Sequence, residues 1–336
     1  MDVPTWVWLA TVGAIGVLFA LDLVIVDRKP HEVGIAEAAR WVVFYLVCAA
    51  VFGLGVWLFA GGTFAGEYFA GYLTEYSLSV DNLFIFVIIV SFFKVPAIQQ
   101  HRVLLIGIML ALAMRGLFIA AGAAAISHFS WVFYLFAALL IYLGWRQISH
   151  RNQGVEFGEN IVLRALRKRV PLTDEYDGSR LTVKRDGKRS FTPMIVVMIA
   201  IGSVDLLFAL DSIPAIFGLT QEAFLVFTAN AFALMGLRQL YFLIGGLLTR
   251  LVYLPIGLGV ILGFIGVKLV LDALHENSLP FLNSGQPLDS VPAVGIGLSL
   301  AVIVGVLLAT TAASVCKTRG HYLGAQLARS EPVKSQ

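Results

Sequence analysis

Residues 194–218 read MIVVMIAIGSVDLLFALDSIPAIFG. A helix needs about 20 mostly apolar residues to cross a hydrocarbon core, and this run is long enough. Barrel strands would instead alternate in segments of about 10 residues, and no such alternation is present. Yet the run carries two aspartates, Asp205 and Asp211. Eight further runs have the same character, so nine spans are expected: 6–26, 41–60, 67–93, 103–125, 131–148, 194–218, 223–246, 253–274 and 291–315. The bulk composition agrees. Of 336 residues, 59% are hydrophobic and 13% charged, against about 25% charged in a soluble domain, and the mean hydropathy is +0.86. The reading is an all-α polytopic membrane protein whose first partner is the lipid bilayer. It excludes a soluble enzyme and a nucleic-acid binder.

The loops fix an orientation. Twenty Lys and Arg fall in 27–40, 94–102, 149–193, 247–252 and the tail after 315, and none in 61–66, 126–130, 219–222 and 275–290. The positive-inside rule then puts the N-terminus outside and the C-terminus in the cytoplasm. The first apolar run lacks a basic leader and a small-x-small cleavage site, so it is expected to stay as an anchor. Within loop 149–193, residues 160–170 read as a basic amphipathic helix on the inner leaflet. Residues 181–191 read as a hairpin turning at Asp186-Gly187. Cys48 and Cys316, the only cysteines, carry no disulfide or metal signal.

A repeat lies inside this frame. Ser79-Val80-Asp81-Asn82-Leu83-Phe84 recurs as Ser203-Val204-Asp205-Leu206-Leu207-Phe208 at an offset of 124. Met114-Arg115 matches Leu237-Arg238 at 123, and Gly144-Trp145-Arg146 matches Gly266-Val267-Lys268 at 122. Spans 3–5 are therefore repeated as spans 6–8, and an odd number of spans inverts the second unit. Inverted repeats are typical of secondary transporters, whose substrates bind near the midplane between the repeats. The chain divides into residues 1–66 (spans 1 and 2), 67–148 (first repeat), 149–193 (basic cytoplasmic loop), 194–274 (second repeat) and 275–336 (span 9 and tail).

Asp22, Glu75, Asp81, Asp205 and Asp211 lie inside spans, as do Arg115 and Arg238. A charge at mid-helix costs about 2.5–3.5 kcal/mol, so five carboxylates cost on the order of 10 kcal/mol. Two arginines cannot neutralise five acids, and the remainder must be protonated or hold a cation. Glu75, Ser79 and Asn82 are spaced to share a helix face. Gly202 and Pro214 suggest that span 6 is broken, which would add free carbonyls as ligands. Asn230 and Ser212 are further oxygen donors. Oxygen-only ligands suit Mg²⁺, Ca²⁺ or Mn²⁺. Arg115 and Arg238 are expected to pair with surplus acids or to form gates.

The segments Glu75-Tyr-Ser-Leu-Ser-Val-Asp-Asn82, Asp205-Leu-Leu-Phe-Ala-Leu-Asp-Ser-Ile-Pro-Ala215 and Thr228-Ala-Asn-Ala-Phe-Ala-Leu-Met-Gly-Leu-Arg238 resemble the signatures of the TerC/Alx family of bacterial integral membrane proteins, which belongs with the LysE-type exporters. The resemblance runs from about residue 10 to about residue 315. It implies a bacterial inner-membrane protein associated with manganese export and, by name, with tellurium resistance. By matching position it implies Asp22, Glu75, Asp81, Asn82, Asp205 and Asp211 as metal-site residues. Many members carry a glutamate where this chain has Gly202.

The expectation is thus a non-enzymatic exporter of divalent cations, Mn²⁺ foremost, working by alternating access with proton coupling and no permanently bound cofactor. The alternatives are an exporter of amino acids or oxyanions, and a membrane scaffold in a stress response. An intramembrane hydrolase finds no nucleophile–base pair or HExxH motif. The oligomeric state is not legible.

Overall fold

The computed structural model describes residues 3–27, 34–129, 131–149, 182–185, 188–244, 253–275, 291–292 and 294–330. These residues form α1 (Thr5–Asp27), α2 (Ile35–Ala60), α3 (Gly62–Phe92), α4 (Ala97–His128), α5 (Val132–Ser149), a hairpin of β1 (Thr182–Arg185) and β2 (Lys188–Phe191), α6 (Pro193–Phe217), α7 (Ala223–Met235), α8 (Leu237–Ile244), α9 (Leu254–His275) and α10 (Ile296–Ser330). The molecule is nearly all helical, as the apolar runs require. The strands pair antiparallel with Arg185 opposite Lys188, which closes the hairpin around the expected turn. Asp186, Gly187 and the expected basic helix at 160–170 lie outside the described residues.

Among the described residues, seven spans are long and apolar enough to cross a membrane: α2, α3, Val103–Ile126 of α4, α5, Ala223–Leu243 across α7 and α8, α9, and Ile296–Lys317 of α10. This is fewer than the nine expected. The other two expected spans are helices in the right places, α1 over 23 residues and α6 over 25.

A second expectation is corrected in α6. The helix is continuous through Gly202 and carries Pro214 within its last turn, at the cost of one i→i−4 bond. Gly202 serves packing instead: a Cβ there would meet the end of the Leu110 side chain on α4 at 2.9 Å. The interruption falls in the next span, where Gly236 separates α7 from α8. A sharp join also occurs at Gly61, whose φ of +99° connects α2 to α3 in a conformation that costs a side-chain-bearing residue far more.

The packing order places the site. From Leu234 to Leu240 every residue of the α7–α8 span is buried, and that span forms the centre of the bundle. By contrast α2 turns Val43, Phe44, Val47, Val51, Leu54 and Leu58 outward, as a lipid-facing helix does. An aromatic cluster ties the centre together. Phe52 of α2 lies 4.9 Å from Phe232 of α7, and the Tyr68 hydroxyl of α3 donates to the Ala49 carbonyl at 3.2 Å.

The closest helix crossing joins α5 to α9. A Cβ at Gly144 would lie 2.6 Å from the Gly259 carbonyl oxygen and 2.9 Å from the Gly263 nitrogen. A Cβ at Gly266 would lie 3.1 Å from both the Ala137 carbonyl oxygen and the Ile141 nitrogen. The offset of 122 carries Gly144, Ala137 and Ile141 onto Gly266, Gly259 and Gly263, so the two sets of contacts exchange with one another. Small residues let backbones approach closely inside a membrane. The same exchange relates α3 lying along α7 to α6 lying along α4.

Candidate functional site

The site is built where α3, α4, α6 and α7 meet. On α3, Glu75 and Ser79 are one turn apart, and the Ser79 hydroxyl donates to Glu75 Oε1 at 3.4 Å. From α4, Arg115 reaches the same carboxylate: its Nη1 forms an ion pair with Glu75 Oε1 and donates to Asn230 Oδ1 of α7 at 3.4 Å. Its Nη2 lies 3.5 Å from Asp205 Oδ1 of α6. One guanidinium therefore fastens four helices, using the planar fork that suits arginine to this task.

The burial is deep. Glu75 and Asn230 are 0% exposed, Arg115 1% and Asp205 2%. Charges removed from water must be paired and hydrogen-bonded, because a lone buried ion costs several kcal/mol. Here the pairing is incomplete. Two carboxylates face one guanidinium, which leaves one formal negative charge. Glu75 Oε2, Asp205 Oδ2, Asn230 Nδ2 and Arg115 Nε have no hydrogen-bond partner among the described residues. Each carboxylate thus keeps one oxygen in hand. A buried acceptor left unsatisfied costs about 1–3 kcal/mol, and a cation arriving between the two acids would remove that cost.

Three other sequence candidates, Asn82, Ser212 and Arg238, are buried. Asn82 is buried on α3, one turn beyond Ser79. Ser212 is buried near the end of α6, and its hydroxyl has no partner among the described residues. Arg238 is buried just past the interruption at Gly236. The side chains of Asp22, Asp81 and Asp211 lie outside the described residues, although each position is helical. Among the described residues, no three His, Cys, Asp or Glu side chains converge on one point.

A second polar cluster was not anticipated from the sequence. A cavity of about 290 Å³ is lined by Glu67, Thr220, Glu222, Lys268 and Asp272, where the start of α3, the α6–α7 connection and the last turns of α9 meet. Thr220 donates to Glu67 Oε2 at 2.6 Å. Lys268 donates to Asp272 Oδ2 at 2.6 Å and to the Gly218 carbonyl at 2.9 Å. The Lys268–Asp272 spacing of four residues, the standard helical ion pair, was the signal that could have found half of it.

Fold and site together define a class: a polytopic helical membrane protein with a charged, water-excluded centre. A family model for the integral membrane protein TerC family matches residues 60–321, so the chain belongs to the TerC family. An uncharacterized membrane protein of Mycobacterium tuberculosis is 48% identical over 321 residues, covering 94% of this chain and 80% of the relative. The chloroplast thylakoid membrane protein TERC of Arabidopsis thaliana is 39% identical over 78% of this chain and 66% of its own length. The Alx protein of Shigella flexneri, named for membrane-bound redox modulation, is 33% identical over 90% of this chain and 92% of its own. No solved structure matches the chain.

Proposed function

We propose that this protein exports divalent metal cations, with Mn²⁺ as cargo, from the cytoplasm across a bacterial plasma membrane. One observation carries the reading: Glu75 and Asp205 are fully withdrawn from water, outnumber the arginine that serves them, and each keep an oxygen without a partner. Hard divalent cations take such oxygen donors. An anionic cargo would call for surplus positive charge at the same place. Asp22, Asp81, Asn82 and Asp211 would complete the ligand set, with Ser79, Ser212 and Asn230 as neutral donors.

In this reading the chain has nine spanning segments, the seven above together with α1 and α6. Two inverted three-helix units, α3–α5 and α6–α9, alternate access to the site. The exchanging contacts of Gly144 and Gly266 support that arrangement, as does the twenty-to-none division of basic residues among the loops. Protons entering on the vacated carboxylates would drive export, since a carboxylate in a dry site is better protonated than bare.

Cells with and without the protein, loaded with radiolabelled Mn²⁺, test the proposal. Expression should lower cellular Mn²⁺ and raise tolerance to manganese excess. Unchanged manganese handling with altered tellurite or amino-acid tolerance would transfer the case to the other exporter readings.

A further inference from the structure

An exporter with a cation site must return empty, and a buried site holding two acids is costly when empty. Arg115 bears on this. Its two terminal nitrogens face Glu75 Oε1 and Asp205 Oδ1, one oxygen from each acid. A divalent cation drawn between these carboxylates would take their free oxygens, Glu75 Oε2 and Asp205 Oδ2, and so claim the same two charges. A doubly charged ion and a guanidinium cannot share two carboxylates at contact distance without strong repulsion. One of them has to leave.

The contacts of Arg115 show what holds it. The fork is engaged by Glu75, Asp205 and the Asn230 amide oxygen, while Nε has no partner among the described residues. Apart from Asn230, its polar anchors are the very groups a metal would claim. Arginine is also never discharged in a protein, so it remains a cation whatever happens to its neighbours.

We infer that Arg115 is a tethered counter-ion: it occupies the carboxylate site of the empty carrier, is displaced when the metal binds, and returns when the metal leaves. The inference rests on the metal-export reading and adds a role to a residue that otherwise serves as a helix fastener. Arg115 lowers metal affinity, because binding must break its ion pairs. In exchange it speeds turnover, because the released site is neutralised from within. A helix fastener alone would have the opposite signature, since its loss would loosen the site and weaken binding.

The test uses the full-length protein in nanodiscs, with Mn²⁺ binding read from the loss of the free-ion electron paramagnetic resonance signal, and efflux measured in proteoliposomes. Arg115→Gln should bind Mn²⁺ at least tenfold more tightly than wild type while exporting it at least tenfold more slowly. Arg115→Lys keeps the charge but cannot fork across two carboxylates. It should bind several-fold more tightly and serves as the decisive variant if Arg115→Gln does not fold. Equal or weaker binding by the folded variants, with wild type binding normally, overturns the counter-ion role and leaves the export reading intact. Absence of Mn²⁺ binding in wild type overturns the export reading itself, and the counter-ion role with it.

Discussion

Arg115 on α4 and Asp205 on α6 are 90 residues apart in sequence, and their Nη2 and Oδ1 atoms lie 3.5 Å apart in the fold. This pair, with Glu75 on the other arm of the fork, joins α3, α4 and α6 through buried charge. Its energetics follow from burial: removing one member of a buried pair costs about 3–5 kcal/mol, while replacing all members by neutral groups can be close to neutral.

Arg115→Leu should therefore lower the melting temperature in detergent sharply, since it strands two carboxylates. The triple variant Glu75→Gln, Arg115→Leu, Asp205→Asn should recover most of that loss. Tryptophan fluorescence or a thiol-reactive melting assay reads both. A triple variant no more stable than Arg115→Leu would mean that charge is not what the arginine supplies.

The α5–α9 crossing makes a reciprocal prediction. Gly144→Ala and Gly266→Ala each push a methyl group into the opposing backbone, and overpacking of this kind costs about 1–3 kcal/mol. Gly263→Ala, on the same helix as Gly266, meets nothing within 4 Å and should leave stability unchanged. Size-exclusion profiles after graded heating distinguish them. If Gly144→Ala melts like wild type, the close crossing is not formed.

Orientation can be read by fusion. Alkaline phosphatase joined after residue 285 should be active, and joined after residue 175 inactive, because the basic loops stay in the cytoplasm. The reverse pattern would invert the transporter and turn export into uptake.

What the sequence could reveal followed the reach of its rules. Helical spacing on α3 brought Glu75, Ser79 and Asn82 to one side, and the hydrogen bond between Ser79 and Glu75 is its product. The excess of acids over arginines in the expected spans was a matter of counting in the sequence; the side chains of Asp22, Asp81 and Asp211 lie outside the described residues. Which acid meets which arginine was not legible, because no local rule joins Arg115 to Asp205 across 90 residues or Thr220 to Glu67 across 153. Gly202 and Pro214 were misread as a break. A proline inside a membrane helix is tolerated where neighbouring groups satisfy the freed backbone, and a glycine in a membrane helix is as often a place for a neighbour to approach. The interruption at Gly236 carried no proline to announce it.

The central claim is that Glu75 and Asp205 hold the transported cation. The most direct measurement is Mn²⁺ efflux from proteoliposomes, normalised to inserted protein, for wild type against Asp205→Asn and the Asp81→Asn, Asp205→Asn double variant. Asp205→Asn leaves Arg115 paired with Glu75, so the protein should insert and fold while efflux falls at least tenfold, and the double variant should transport nothing above empty vesicles. Wild-type efflux from the double variant would contradict the account.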